Sequence, residues 1–214
     1  MTDPMVSDDG SSEVVRRIAA RAVAKRTAGY ADEVRRLLDA GREVMADAGT
    51  SSRPRVADIV AAAGLSNDAF YRHFRSKDDL VGAILQDGTE RLRGYLAHQM
   101  DKETQARGRL ARWVAGILAQ ADAGSAQTTR AVMWNVGNIN AESMTTPPSV
   151  TAHLATLLHD SLRELGSAQP EFDARLVAHA TIGMLSDCLW QQTIPTSDDV
   201  DRIVAACLGL VVRE

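Results

Sequence analysis

A short segment near residue 70 carries polar side chains at the spacing of one helix face. Phe70 and Phe74 are four residues apart, so both rings point to the same inward side of a helix. Asn67, Asp68 and Tyr71 then lie on the opposite, exposed side. Asn can pair bidentately with adenine, and Asp can accept from the amino group of cytosine. The pattern predicts a helix that reads base edges; alternatively, Asp68 only complements the helix dipole.

Two short helices joined by a turn must position these side chains. Apolar residues repeat at helical spacing from Val56 to Ala63, and Gly64 stops this first helix. Ser66 follows as an N-cap, because its hydroxyl can accept from the amides two or three residues further on. Two helices joined by a glycine-containing turn form a helix-turn-helix. In that motif the second helix lies in the major groove of DNA.

The amino-acid sequence of this segment identifies a protein family more specifically than the helical spacing of its apolar residues does. Residues 63–66 read Ala-Gly-Leu-Ser, residues 70–74 read Phe-Tyr-Arg-His-Phe, and residues 76–80 read Ser-Lys-Asp-Asp-Leu. This string closely resembles the signature of TetR-family transcriptional regulators over about residues 32–82. The resemblance implies a homodimer in which each subunit has three DNA-binding helices and a larger helical domain that binds a small-molecule inducer. It also implies that the last two long helices build the dimer interface.

The resemblance assigns roles residue by residue. Tyr71, His73 and Lys77 match positions that usually hold the DNA backbone, although Tyr71 can instead pack half-buried and His73 can be an ordinary surface residue. The family commonly has Ser or Thr at the start of the first helix of the motif. This chain has Pro54-Arg55 there, and Arg55 could replace the phosphate contact by its charge. The predicted DNA-binding residues are Arg55, Ser66, Asn67, Asp68, Tyr71, His73 and Lys77.

Helical periodicity continues along the whole chain, and no stretch alternates with the period of a strand. The expected fold is therefore all-α: an N-terminal three-helix DNA-binding domain with the helix-turn-helix, followed by a larger helical ligand-binding and dimerisation domain. A basic amphipathic stretch over 13–28 is expected to end at Gly29, and the next helix at Gly49. Residues 1–12 are polar and expected to be disordered. The predicted domains are residues 1–28, 29–78 and 79–214, with later helices near 106–122, 127–142, 148–166, 171–192 and 197–212.

Charge is distributed unevenly. Residues 13–77 carry 13 Lys and Arg against 8 Asp and Glu, whereas residues 81–214 carry 11 against 15. A basic N-terminal third on an acidic body indicates that this third meets an anion, the alternative being a scatter of solvated charges. Five basic residues of the stretch 13–28 are candidates for further DNA contacts or for a solvated helix face: Arg16, Arg17, Arg21, Lys25 and Arg26.

The helical body offers candidates for ligand binding by chemistry alone, since small-molecule sites are mostly apolar with a few polar groups. The predicted ligand-binding residues are Trp113, Met133, Trp134, Asn138, Met184 and Trp190, with Asn135, His179 and Gln191 as further polar candidates. For each Trp and Met the favoured alternative is an ordinary core position, and for His179 a hydrogen-bonded core or interface position. The expected ligand is neutral or lipid-like. The last two helices are rich in small and aliphatic residues that suit a dimer bundle: Leu176, Ala180, Ile182, Gly183, Leu185, Ile203, Ala206 and Leu210.

Other classes of protein are disfavoured. The two cysteines form no CxxC pair, no run of 18 apolar residues exists, and no nucleotide-binding, metalloprotease or hydrolase motif is present. We therefore expect a cytoplasmic protein with no cofactor, no metal, no membrane contact and no enzymatic activity. The expected function is a repressor that a small apolar molecule releases from palindromic double-stranded DNA. The alternative is a DNA-binding regulator that responds to a protein partner or to no ligand.

Overall fold

The computed structural model describes residues 9–139 and 150–211, and every regular element in these ranges is helical. The predicted all-α fold is confirmed. The helices are α1 (Asp9–Ala48), α2 (Val56–Ala63), α3 (Asn67–His73), α4 (Lys77–Met100), α5 (Ala106–Leu118), α6 (Ala126–Gly137), α7 (Val150–Ala155), α8 (His159–Glu164), α9 (Pro170–Gln191) and α10 (Ser197–Val211).

Helix α1 is longer than the sequence predicts. It runs for 40 residues without interruption, so the predicted break at Gly29 is wrong. A glycine costs a helix only about 1 kcal/mol relative to alanine, and Ala28 and Ala31 stand on either side of it. Residues 9–12, expected to be disordered, are helical as well, whereas residues 1–8 lie outside the described part. Every described side chain from residue 13 to residue 32 is exposed.

The predicted helix boundaries around the turn are confirmed. Gly49 and Gly64 follow α1 and α2 with φ of 58° and 61°, in the left-handed region that favours glycine. The Ser66 hydroxyl accepts from the amide of Ala69 at 3.2 Å and caps α3. Ser76 caps α4 in the same way.

Two apolar cores organise the chain, and α4 belongs to both. Its first turns supply Leu80, Val81 and Ile84 to a core formed with α1, α2 and α3. Its last turns supply Leu96 and Met100 to a larger core formed with the helices from α5 onward. Helix α6 also reaches the first core, through fully buried Ala131.

The predicted helix over 148–166 is interrupted. Two helices, α7 and α8, are separated by a 3₁₀ turn at residues 156–158. The Thr156 hydroxyl donates to the carbonyl of His153 at 2.8 Å, and such local side-chain bonds compete with regular helix. Within the described ranges, no helix combines the length and the apolar composition needed to cross a bilayer.

Substituting two glycines by alanine should change stability in opposite directions. Gly64→Ala forces a side chain into the left-handed region and should lower the free energy of unfolding by about 1 kcal/mol. Gly82→Ala lies inside α4 with no atom within 4 Å of the new methyl group, so it should raise that free energy by about 0.5–1 kcal/mol. Urea denaturation of both variants measures the two changes, and equal signs would contradict these assignments.

Candidate nucleic-acid interface and ligand cavity

The turn between α2 and α3 is fixed by both local and distant contacts. The amide of Leu65 donates to the carbonyl of Val60 at 2.9 Å, which closes the turn. The guanidinium of Arg36 on α1 donates to the carbonyls of Ala63 and Gly64, the latter at 3.0 Å. The last turn of α2 is thereby attached to α1. Sequence reasoning missed Arg36, because its partners are backbone atoms 27 and 28 residues away.

Helix α3 has the two faces that the sequence predicts. Phe70 is fully buried and Phe74 nearly so. Asn67, Asp68 and Tyr71 are exposed on the other side. A helix of seven residues with this exposed polar face can enter a major groove, where side chains reach the edges of the bases.

His73 connects α3 to α1. Its side chain is only 11% exposed, and its Nε2–H donates to the Glu33 carboxylate on α1 at 2.7 Å. The ring of Tyr30 packs edge-on against it, with ring centroids 5.6 Å apart. Nε2 thus attaches α3 to α1, and a contact of His73 with DNA phosphate stays a prediction. The bond from His73, followed by the positive charge of Arg72, lowers the pKa of Glu33 below the ordinary glutamate range.

Two cations lie together at the start of α4. Burial lowers the pKa of the Lys77 ammonium, and the nearby Arg53 guanidinium lowers it further. Arg53 itself donates to the Asp78 carboxylate at 2.7 Å. A phosphate at this helix N-terminus would relieve the repulsion between Lys77 and Arg53. Arg53 is a candidate that the sequence analysis missed, although a basic residue directly before Pro54 was a visible signal.

Arg55 is exposed at the residue before α2, and its side chain caps nothing. The Asp58 carboxylate instead accepts from the Arg55 amide at 3.4 Å. Pro54 is buried beside it. The Arg55 side chain is thus free of the capping role that Ser or Thr would have, and a phosphate contact through it stays a prediction.

A cavity of about 800 Å³ lies between α4, α5, α6, α7 and α9. Its wall is largely apolar and is formed in part by Ile84, Leu92, Ile117, Val132, Met133, Val136, Leu154, Ile182 and Leu185. Hydroxyl and amide groups from Thr89, Gln120 and Thr128 are interspersed. A cavity of this size and chemistry suits a small organic molecule.

Of the six predicted ligand-binding residues, Met133 alone lies on the wall of this cavity. Trp113 is fully buried in the body core, where its indole N–H donates to the carbonyl of Leu154 at 3.2 Å. Trp134 is half-buried away from the cavity, and exposed Asn138 donates to the Trp134 carbonyl at 2.7 Å. Met184 and Trp190 lie exposed on α9.

Trp113, Trp134, Asn138, Met184 and Trp190 thus lie off the wall of this cavity, and ligand binding by them stays a prediction. Residue chemistry identifies side chains that suit a pocket, but which face of a helix meets the pocket depends on tertiary packing. The further polar candidates are also absent from the wall. Asn135 is buried and donates to the Ala131 carbonyl, and both His179 and Gln191 are exposed.

A chain of ion pairs connects the two cores beside the cavity. Arg42 on α1 pairs with Asp39 and, at 2.7 Å, with Oδ2 of Asp87 on α4. Arg91 pairs with the same oxygen, also at 2.7 Å. Both arginines line the cavity.

Residues 37–84 match the family model described as bacterial regulatory proteins, tetR family. The matched residues run from α1 to α4 and contain the whole helix-turn-helix. The resemblance to the tetR family that the sequence indicates is therefore supported over this N-terminal segment, which carries the helix-turn-helix.

Solved structures share the fold over most of the chain. A transcriptional regulator from Rhodococcus sp. Rha1 has a TM-score of 0.64 at 18% identity and covers 83% of this chain and 95% of its own. A TetR-family transcriptional regulator from Rhodococcus sp. gives 0.63 at 21%, with 82% and 98% covered. One from Mesorhizobium loti gives 0.62 at 14%, with 85% and 96% covered. Comparison with curated proteins gives no match.

Removing the Glu33 carboxylate should loosen α3 from α1 in a pH-dependent way. Because the folded-state pKa of Glu33 is lowered, its contribution to stability is present at neutral pH and is lost as the pH falls through that lowered pKa. Glu33→Gln should therefore be less stable than the wild type at neutral pH, and the difference should shrink in acid. Urea denaturation across pH measures this. Glu43→Gln, at an exposed position of α1, is the matched control and should show no such trend.

Proposed function

We propose that the protein is a homodimeric repressor that leaves a palindromic DNA site when a small, mainly apolar molecule occupies the cavity. The observation that carries the proposal is that the cavity and the DNA-binding core have structural elements in common. Ile84 belongs to the DNA-binding core and also lines the cavity. On α6, Ala131 packs into that core while its neighbour Val132 faces the cavity.

These shared helices give a ligand a route to α3. Helix α6 is also attached to α1 through Gln127, whose amide donates to the Ala46 carbonyl at 2.8 Å. A molecule that separates α4 from α6 would shift α1, and with it the α3 helix that α1 holds. In a dimer, the two α3 helices must stand about 34–36 Å apart to reach successive major grooves. A small rotation of each subunit therefore removes the fit to the operator.

Three glycines of α4 are consistent with such movement. A side chain at Gly82, Gly88 or Gly94 would meet no atom within 4 Å. Close helix packing therefore does not explain these glycines, although Gly88 also lines the cavity, where a side chain would occupy space inside it. Each glycine weakens α4 by roughly 1 kcal/mol relative to alanine.

The cavity favours a small molecule over the alternative of a protein partner, since a concave and largely apolar cleft between helices is the kind of site that binds small ligands. The second hypothesis is a DNA-binding regulator that responds to a protein partner or to no ligand. The exposed basic side chains on the N-terminal half of α1 would add contacts to phosphates beside the site. Enzymatic activity is disfavoured because residues 37–84 match a family of regulatory proteins.

DNA selection tests the central claim. From a pool of random duplexes, the protein should select a palindrome, and fluorescence anisotropy should show tighter binding to it than to random DNA. Lys77→Ala and Tyr71→Phe should weaken binding to all duplexes alike, because phosphate contacts carry no sequence information. Asn67→Ala should relax the preference at one position per half-site by about 1–3 kcal/mol.

Lys102→Ala, just beyond the far end of α4, is the matched control and should leave DNA binding unchanged. Equal affinity for random and selected duplexes would contradict the proposal.

The proposed dimer interface is the apolar face that α9 leaves exposed, with Phe172, Leu176, Met184 and Trp190 at helical spacing. A substitution that tests this interface therefore belongs on the exposed face of α9 and not at Leu185 or Ile203. Leu185 is buried in the body core and half-buried Ile203 packs against it, so a charge at either would disturb folding. Leu176, Ala180, Gly183 and Ala206 are exposed, Ile182 lines the cavity, and the side chain of Leu210 lies outside the described part.

Leu176→Asp and Met184→Asp should each give monomers in sedimentation, because an unpaired charge buried at an interface costs several kcal/mol. Both residues are about two-fifths exposed in the isolated chain, at 40% and 44%. Val23→Asp, at an exposed apolar residue of α1, is the control and should stay dimeric. Dimers from both α9 variants would place the interface elsewhere.

A further inference from the structure

The cavity wall carries charge of one sign. Among the described residues that line it, the ionised side chains are Arg42 from α1 and Arg91 from α4. The carboxylates that pair with them, Asp39 and Asp87, are not part of the wall. Within the described part of the wall, a molecule in the cavity therefore meets guanidinium groups and no carboxylate.

These guanidinium groups retain capacity for a further acceptor. Each has five N–H donors, and a single oxygen of Asp87 accepts from both. The side chain of Arg42 is only 18% exposed, so water screens its charge weakly. Arg91 is 58% exposed and can turn toward the cavity at little cost. A ligand carboxylate placed here would receive charge-assisted hydrogen bonds from two directions.

We propose that the cavity binds an apolar molecule with a terminal carboxylate, and that this carboxylate takes the place of Asp87 on Arg91 and Arg42. The inference rests on the proposed function, in which the cavity binds a small molecule, and it names the ligand's chemical class. The apolar wall takes the chain of the molecule, and the arginine end takes its charge. Of the two ligand classes that the sequence suggested, neutral or lipid-like, this proposal selects a charged, lipid-like one.

The same exchange explains how ligand binding would change the affinity for DNA. The bond from Arg42 to Asp87 crosses from α1 to α4. A ligand carboxylate that competes for Arg42 frees Asp87 and releases this connection. The carboxylate group is then the part of the ligand that acts on the DNA-binding domain, and the apolar part supplies affinity.

Calorimetric titration in the absence of DNA tests the ligand class with two probes of equal chain length, decanoate and 1-decanol. Decanoate should bind about tenfold more tightly, as expected for one additional charge-assisted contact. Arg91→Gln should abolish this preference while leaving 1-decanol binding unchanged. Arg112→Gln, which loses an exposed arginine paired with Glu103 on a surface away from the cavity wall, should keep the preference.

Replacing the competing carboxylate of Asp87 should change the affinity for decanoate in the opposite direction from Arg91→Gln. Asp87→Asn removes the negative charge that holds both guanidinium groups and leaves only a weaker, neutral acceptor, so it should tighten decanoate binding several-fold without changing 1-decanol binding. Glu90→Gln, which removes the same charge three residues away at an exposed site paired with His153, is the matched control. Equal tightening in both variants would reveal a general charge effect and overturn the proposal.

Failure of this proposal and failure of the proposed function give different results. If neither probe binds, if both bind equally, or if Arg91→Gln keeps the preference, the carboxylate proposal is overturned. If 1-decanol binds as tightly as decanoate and displaces the selected duplex, the carboxylate proposal fails while the repressor function stands. If the protein selects no palindrome, the repressor function fails whatever the titrations give.

Discussion

The structure depends on α4 being a single helix that is shared by two apolar cores. Its start is buried with α1, α2 and α3, and its end with the helices of the body. A rise of 1.5 Å per residue fixes the distance between these ends, because a helix neither stretches nor shortens appreciably. Movement at one end must therefore appear at the other as a translation or rotation. Gly88 and Gly94 lie between these ends and Gly82 lies within the first, and all three weaken the helix without removing a packing contact.

A coupling free energy of 1–3 kcal/mol, typical of allosteric proteins, is small compared with the free energy gained by burying the apolar side chains of either core. A ligand can supply it without unfolding anything, provided that it acts on a contact of similar strength. A surface ion pair contributes at most about 1 kcal/mol and a single hydrogen bond about 0.5–1.5 kcal/mol, so two or three such contacts together reach this range. The contacts between α1 and the helices beside the cavity include such bonds, through Arg42 and through Gln127. Strong apolar packing thus holds the helices of the two cores together, and weak polar contacts set the position of α1 relative to the helices beside the cavity.

The sequence was informative wherever the physical cause is local. Gly49, Gly64, Ser66 and Ser76 act within a few residues of their own position, and each ends or starts a helix as the sequence predicts. The four-residue spacing of Phe70 and Phe74 likewise determined which face of α3 is exposed. Gly29 shows the limit of such reasoning, since one unfavourable residue is outweighed by good helix formers on both sides.

Predictions that needed the packing of distant segments were less successful. Trp113, Met184 and Leu185 are all large apolar residues in helices, yet one lies in the core, one on the surface and one on the cavity wall. Helical periodicity gives their relative angles, but the direction of the cavity comes from how five helices pack. His73 illustrates the same point for a polar residue. Its partner Glu33 is 40 residues away, and only the fold shows that this nitrogen is occupied.

Helix α1 connects the DNA-binding helix to the ligand cavity. Helix α3 has seven residues and is too short to hold its orientation alone, since isolated helices below about 12 residues are marginal in water. It is held by the buried rings of Phe70 and Phe74 and by the bond from His73 to Glu33 on α1, while Arg36 on α1 holds the turn that precedes it. Further along α1, Arg42 and the Ala46 carbonyl face the helices of the cavity. These contacts stand on one continuous helix within about 20 Å of each other. The geometry that DNA requires of α3 is therefore determined by the same helix that a ligand in the cavity would displace.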